Sequence, residues 1–238
     1  MNSGPEDDPV LTVLSRGDIS IEGRMPWSSN NTFLVSLCYE GAEMGAIYKP
    51  GDGERPLWDF PSGLYQREVA AWRLSAFLGW SLVPETVLRR DGPLGSGSLQ
   101  RFVDADFSEH YFTLMEKPEN RDQLLHIGVF DLLLNNADRK SGHCLLGQDG
   151  KIWAIDNGLS FHTEPKLRTV IWDFAGEPVP EDLLDDIARL AAGVPDEVSE
   201  LLDRGEPAAL AQRARGVLAH PRLPEPHPER RPYPWPLV

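Results

Sequence analysis

NNADRKSGHCLL (residues 135–146) and KIWAIDNGLSF (residues 151–161) each set an aspartate beside a short run of β-forming residues. Asp138 comes just before CLL, and Asp156 just after IWAI, eighteen residues further on. Both could be turn residues, because Asp and Asn side chains hydrogen-bond to nearby backbone and favour turns. What surrounds them decides whether they carry chemistry.

The chain has 238 residues, 41% of them hydrophobic, enough for one large domain or a two-lobed one with a real core. No apolar run approaches the ~18 residues needed to span a bilayer. The acidic, polar start MNSGPEDDPV does not read as a secretory signal. Two cysteines, Cys38 and Cys144, are too few for a disulfide framework. A reducing compartment, the cytoplasm, is therefore expected. The net charge of −14 disfavours nucleic acid and anionic membrane surfaces as partners. No integral membrane contact is expected. The six histidines are scattered, and no GxxxxGK[ST], CxxC pair or HExxH is present, so neither a Walker loop nor a zinc site is read.

Residues 1–10 read as a disordered N-terminus. LTVLSRGDISIEGR (11–24) reads as two β-rich halves around a turn. A polar loop, MPWSSNNT (25–32), follows. FLVSLCYEG (33–41) and MGAIYKP (44–50) read as a hairpin. LYQREVAAWRLSAFLGW (64–80) has helical apolar spacing. SLVPETVLRR (81–90) and GSLQRFV (97–103) form another β pair. The second half is helical. NRDQLLHIGVFDLLLNN (120–136) starts at Asn120 as N-cap. EDLLDDIARLAAG (181–193) and DEVSELLDRG (196–205) are amphipathic, closed by Gly193 and Gly205 in the left-handed C′ manner. EPAALAQRARGVLAH (206–220) is a third helix. The tail, 221–238, is proline-rich and extended. The fold class is α+β in two lobes: a β-rich N-lobe with one helix over 11–103, and a helical C-lobe over 104–220.

Lys49 ends the strand MGAIYK, and Glu68 lies in the helix LYQREVAAW, nineteen residues on. A strand-end lysine is usually only solvated, and a helix glutamate usually lies on the surface. Their order and spacing, however, resemble the layout by which kinases hold a strand lysine against a helix glutamate to grip nucleotide phosphates. The same template accommodates the opening pair of aspartates. Asp138 takes the place of the catalytic-loop base, His143 falls five residues later, and Asp156 begins DNG where a metal-binding aspartate belongs.

NADRKSGH followed by AIDNG resembles the phosphatidylinositol 3-/4-kinase superfamily, near its type II lipid-kinase branch, and the HipA-type serine kinases. With GRMPWSSNNTFLV, YKP, REVAAW and KLRTVIW, the pattern is similar to a compact actinobacterial kinase-like branch, over roughly residues 11–220. The resemblance implies a protein-kinase-like fold, ATP, and Mg²⁺ or Mn²⁺. It implies Asp138 as general base or substrate-orienting group. Arg139 would pair with a neighbouring carboxylate or reach the transferring phosphate. Asp156 would be a metal ligand, and Lys49 and Glu68 the phosphate-binding pair. His143 departs from the pattern, where Asn is usual. Either it ligates metal, favouring Mn²⁺, or it has left the shell and one metal is lost; a third option is reduced activity.

Other roles follow from position alone. Ser28, Ser29 and Asn30 sit where kinases cover the phosphates, without a G-x-G-x-x-G. They would bond phosphate oxygens or form a plain hairpin turn. Gln100 and Arg101, within Leu99–Phe102, would be the interlobe hinge that meets adenine. Lys166 and Arg168 lie in activation-segment territory. They would dock an acidic or phosphorylated substrate, or pair with Glu164 and Asp173. Cys144, beside His143, is read as a buried thiol rather than a nucleophile, since neighbours on a strand face opposite ways. The tail either packs along the C-lobe through Tyr233 and Trp235 or presents a proline-rich ligand to a protein partner. The leading reading is phosphotransfer to a hydroxyl of a small molecule or protein. The alternatives are a nucleotide-binding pseudokinase or scaffold, and nucleotidyl transfer.

Overall fold

FLVSLCY and AEMGAIYKP are rich in β-forming residues, and each folds as a strand whose buried positions fall at every second residue. In β2 (Phe33–Tyr39) the buried residues are Val35 and Leu37; in β3 (Ala42–Pro50) they are Ala46, Tyr48 and Pro50. The computed structural model describes residues 8–26, 30–227 and 231–237. Glu40 and Gly41 link the two strands with φ of 49° and 85°. Positive φ at both positions is the two-residue turn that matches strand twist. The turn is thus tighter than expected, and Ala42 and Glu43 belong to β3. β1 (Asp18–Arg24), β4 (Thr86–Arg89) and β5 (Gly97–Arg101) complete an antiparallel sheet in the order β1-β2-β3-β5-β4.

Residues 11–16 are helical, not a strand. α1 (Pro9–Arg16) begins within the stretch expected to be disordered, with Asp8 as N-cap accepting the Val10 N–H at 2.8 Å and proline in the first turn. Its Val13 and Leu14 pack on Val35, Leu37, Ala46, Tyr48 and Leu99. The β-formers Leu11 to Leu14 hid a cap signal, Asp-Pro, that fixes a helix start. The sheet lobe therefore carries two helices. The second, α2 (Leu64–Leu78), is bounded by Gly63 and Gly79, both left-handed.

The helical lobe is built on α4 (Arg121–Leu134), exposed at its first two residues and buried or half-buried from there on. Asn120 precedes it without a capping side-chain bond. Around α4 lie α3 (Tyr111–Met115), α5 (Glu181–Ala192), the short α6 (Asp196–Ser199) and α7 (Glu206–Ala219), all in one core with Leu74 and Leu78 of α2. Gly193 is extended at φ −176°, so it does not close α5 in the left-handed manner. Gly205 is left-handed but precedes α7 rather than ending α6. Residues 200–205 leave the helix because Asp203 and Glu206 are drawn onto a buried arginine, Arg67. A small hairpin, β6 (Cys144–Leu146) with β7 (Ile152–Ala154), lies beneath the sheet lobe. The tail is attached through backbone carbonyls and the buried Pro234. Pro232 O accepts from Thr169 N and Trp172 Nε1, and Leu237 O accepts from Ser141 N. Trp235 is 83% exposed, so its ring is not the anchor. No helix among the described residues is long and apolar enough to cross a membrane.

Candidate active site

Lys49 is the next-to-last residue of β3, a strand paired on both edges, which fixes where its side chain starts. Its ammonium forms an ion pair with Glu68 Oε1 of α2 and lies 2.9 Å from Asp156 Oδ1. The other Glu68 oxygen accepts the Asn157 N–H at 2.9 Å. One buried glutamate thus joins the strand, the helix and the DNG loop. Burial alone would lower the Lys49 pKa, but Asp156 and Glu68 outweigh it and hold the ammonium above its usual range. Burial raises the Glu68 carboxyl against the pull of Lys49. Asp156 is held far below the usual carboxylate range, because Lys49 overcomes its burial. Its side chain is still half-exposed, at 48%, and sits on a left-handed residue, φ 58°.

Gly158 lets α2 come this close. A Cβ there would stand 3.3 Å from Glu68 Oε1 and 3.3 Å from Leu64 O.

The loop after α4 carries Asp138. Asn135 ends the helix at φ 56°, and Asn136 Oδ1 accepts the Asp138 N–H at 2.9 Å. The Asp138 carboxylate is 22% exposed and pairs with Lys140 Nζ at 2.9 Å. Burial raises its pKa, with the Asp156 charge adding to this and Lys140 opposing it. A partly exposed carboxyl with a raised pKa suits a proton acceptor.

Arg139 does not face the cleft. It is fully buried, paired with the equally buried Asp131 at 2.9 Å, and donates to Asn157 Oδ1 at 2.6 Å and to Ile155 O. Asp131 also accepts from Asn136 Nδ2 and Thr169 Oγ1. Of its two expected roles, Arg139 takes the carboxylate pairing. It ties the Asp138 loop to the DNG loop.

His143 ends the single 3₁₀ turn Ser141–His143, with Nε2 3.2 Å from Asp156 Oδ2. Burial, with Arg139, Lys140 and Lys49, pushes its pKa down to about 4 against the pull of Asp156, so the ring is neutral at pH 7. Among the described residues no group of three or more His, Cys, Asp or Glu side chains could hold a metal ion. One half-exposed, ionised carboxylate does fit a hard cation that keeps water and phosphate oxygens as its other ligands.

The remaining expected site residues are more dispersed. Ser28 and Ser29 lie outside the described residues. Asn30 Oδ1 accepts the Arg55 N–H at 3.1 Å, tying its loop to residues 51–63. Gln100 and Arg101 lie inside β5, and the backbone there is already engaged. Gln100 pairs with Ile47 and Thr86, and its amide donates to Thr86 Oγ1 at 2.8 Å. Arg101 N donates to Glu85 O at 2.8 Å, and its guanidinium lies 4.8 Å from the centre of the Trp153 ring. The connection between lobes therefore falls just after them, at residues 103–105, where Val103 and Ala105 pack on Trp153. Lys166 and Arg168 share Asp59 at 3.6 and 3.5 Å, rather than meeting Glu164 or Asp173. Asp173 instead accepts from Tyr111 OH at 2.7 Å. Lys166 and Asp59 line a cavity of about 440 Å³ with Trp58, Phe60, His162 and Glu164. Burial pushes the Cys144 thiol up to about 12, in keeping with an inert core cysteine.

Three residues of this machinery were not read from the sequence: Asp131, Lys140 and Arg67. Asp131 had a signal, a lone charge inside the apolar run HIGVFDLLL. A charge in such a place is buried and needs a partner. Arg67, beside Glu68, reaches Glu206 at 2.7 Å and Asp203 at 2.9 Å, and had no local signal at all.

Comparison with known proteins agrees with this fold. The family profile for phosphatidylinositol 3- and 4-kinase matches residues 85–209. Protein Rv2133c of Mycobacterium tuberculosis is 38% identical over 269 aligned residues, covering 96% of this chain and 95% of its own. Two solved structures share the fold at 14% identity. Hydra Fam20 with sugar has a TM-score of 0.57, covering 90% of this chain and 88% of its own. The Helicobacter pylori proinflammatory kinase CtkA has a TM-score of 0.52, with 88% and 94% covered.

Proposed function

The chain belongs to the phosphatidylinositol 3- and 4-kinase family, and we propose that it is an ATP- and divalent-metal-dependent phosphotransferase acting on a hydroxyl of a small molecule or protein. The observation that carries this reading is the contact of Lys49 with both Glu68 and Asp156, closed by the Asn157 N–H on Glu68. A lysine held by two carboxylates is fixed in place yet open enough, at 21% exposure, to meet a polyphosphate.

In this reading the nucleotide lies between the sheet lobe, which runs from α1 to residue 103, and the helical lobe that follows it. Lys49 contacts its phosphates. Asp156 holds the divalent cation, which when bound neutralises charge on the phosphate oxygens. The acceptor hydroxyl attacks the γ-phosphorus, the bond from that phosphorus to the β–γ bridging oxygen breaks, and ADP leaves. Asp138 takes the hydroxyl proton, and Lys140 beside it favours the ionised form that can accept one. Arg139 keeps the two aspartate loops in register from below.

The net charge of −14 argues against work at an anionic lipid surface and against nucleic acid, so the acceptor we propose is not embedded in a membrane. The same composition, with two unpaired cysteines, supports the cytoplasm. Exposed Trp235, Tyr233 and Leu237 support a protein contact on the tail. One observation favours binding without turnover: both Asp156 oxygens already meet a donor, Lys49 and His143.

Turnover of Asp138→Asn tests the chemistry. Loss of a general base is expected to slow ATP-dependent transfer, including autophosphorylation, by about 10²–10⁴-fold with ATP affinity unchanged. Wild-type turnover with an unaffected variant would rule Asp138 out as the base. A wild type that binds ATP without turnover would favour the pseudokinase.

A further inference from the structure

The backbone N–H of Lys140 points at Nδ1 of His143, 3.3 Å away. A backbone N–H can only donate, so Nδ1 must present a lone pair. An imidazole whose Nδ1 is an acceptor carries its proton on Nε2, and Nε2 is the nitrogen that faces Asp156 Oδ2 at 3.2 Å. A ring nitrogen that carries a proton has no lone pair left for a cation. Metal ligation by Nε2 would need the proton moved to Nδ1, where it would oppose the Lys140 N–H.

We propose that His143 is not a metal ligand but a positioning residue, which donates Nε2–H to Asp156 Oδ2 from outside the coordination shell. The assignment of a metal to Asp156 rests on the phosphotransferase reading; the tautomer does not. Asp156 receives one donor on each oxygen, Lys49 on Oδ1 and His143 on Oδ2. Each oxygen keeps a lone pair for a cation. Partners of this kind orient metal-binding carboxylates, and their loss lowers metal affinity about 10–100-fold. The protein then supplies a single ligating side chain of hard oxygen, and the nucleotide supplies most of the rest. That suits Mg²⁺, gives no advantage to Mn²⁺, and leaves one cation per nucleotide.

The test is a long-range ¹H–¹⁵N spectrum of ¹⁵N-histidine protein, with His143 assigned through its loss in His143→Gln. The expected result is a protonated Nε2 and an unprotonated Nδ1, both before and after adding Mg²⁺ with a non-hydrolysable ATP analogue. A protonated Nδ1 in the free protein, or a cation-shifted Nε2 in the complex, would overturn the proposal. The free-protein spectrum decides the tautomer whether or not nucleotide binds, so its failure is distinct from failure of the kinase reading.

A second readout is Mg²⁺ affinity at fixed nucleotide analogue. His143→Ala is expected to weaken it about 10-fold or more, and His143→Gln, which keeps an N–H near the Nε2 position, to restore it. Equal affinities for Ala and Gln would contradict a hydrogen-bonding role. Mn²⁺ counted by electron paramagnetic resonance is expected at one per nucleotide in wild type. A second Mn²⁺ that disappears in His143→Gln would place His143 in the shell.

Discussion

Lys140 stands two residues after the candidate base, and its ammonium sits on the Asp138 carboxylate at 2.9 Å. Asp138 accepts a proton only when ionised. Its pKa is raised by burial, while Lys140 holds the rise in check. The rate should therefore fall as pH drops through that raised value, at a higher pH than for an exposed aspartate. Lys140→Met removes the check, so the carboxyl rises further and the acid limb of the pH–rate profile should move to higher pH. A limb that stays in place, or moves to lower pH, would show that Asp138 does not set it. At this scale the sequence was informative for residues that carry a motif. Lys49, Glu68 and Asp156 come into contact as their order implied, though the meeting of Lys49 with Asp156 joins residues 107 apart. It was partly informative for Arg139: pairing with a carboxylate was expected, but nothing in the motif pointed to Asp131, buried in α4.

Helix α2 is fixed at both of its functional side chains. Glu68 holds the DNG loop, and Arg67 is buried against Glu206, Asp203 and the carbonyl of Ser160. Swinging this helix outward would leave charged groups buried and unpaired, which is strongly unfavourable. The Lys49–Glu68 pair is therefore built into the resting structure. Gly158→Ala probes the fit, because the added methyl would press on Glu68 and on Leu64 at 3.3 Å. The expected outcome is a loss of about 1–3 kcal/mol in urea denaturation, together with weaker nucleotide binding. Unchanged stability and affinity would mean that α2 yields freely. Elements were legible where periodicity was strong, as in α2, α4 and the β2–β3 hairpin. They were not where a tertiary partner overrode local preference. α6 stops early because Arg67 claims residues 203 and 206, and β5 absorbs Gln100 and Arg101 because it is paired on both edges. α1 was legible in principle from its Asp-Pro cap.

Across the whole molecule, two lobes meet around a cluster of one lysine and two carboxylates, with the tail laid over the Asp138 loop and the segment that follows the DNG motif. The order and gaps of four residues were enough to read the architecture, because each motif is local and the kinase layout fixes how they assemble. The interlobe contacts that stabilise the arrangement, such as Arg67 with Glu206, join residues 139 apart and follow no spacing rule. Everything functional in this account depends on Asp156 as the point where cation, nucleotide and protein meet. The direct test is calorimetric titration of ATP with Mg²⁺ into wild type and Asp156→Ala, both checked for retained fold by circular dichroism. The account predicts Mg²⁺-dependent binding by the wild type that Asp156→Ala abolishes while Lys49 remains paired with Glu68. Absence of binding by the wild type, or equal binding by the variant, would contradict it.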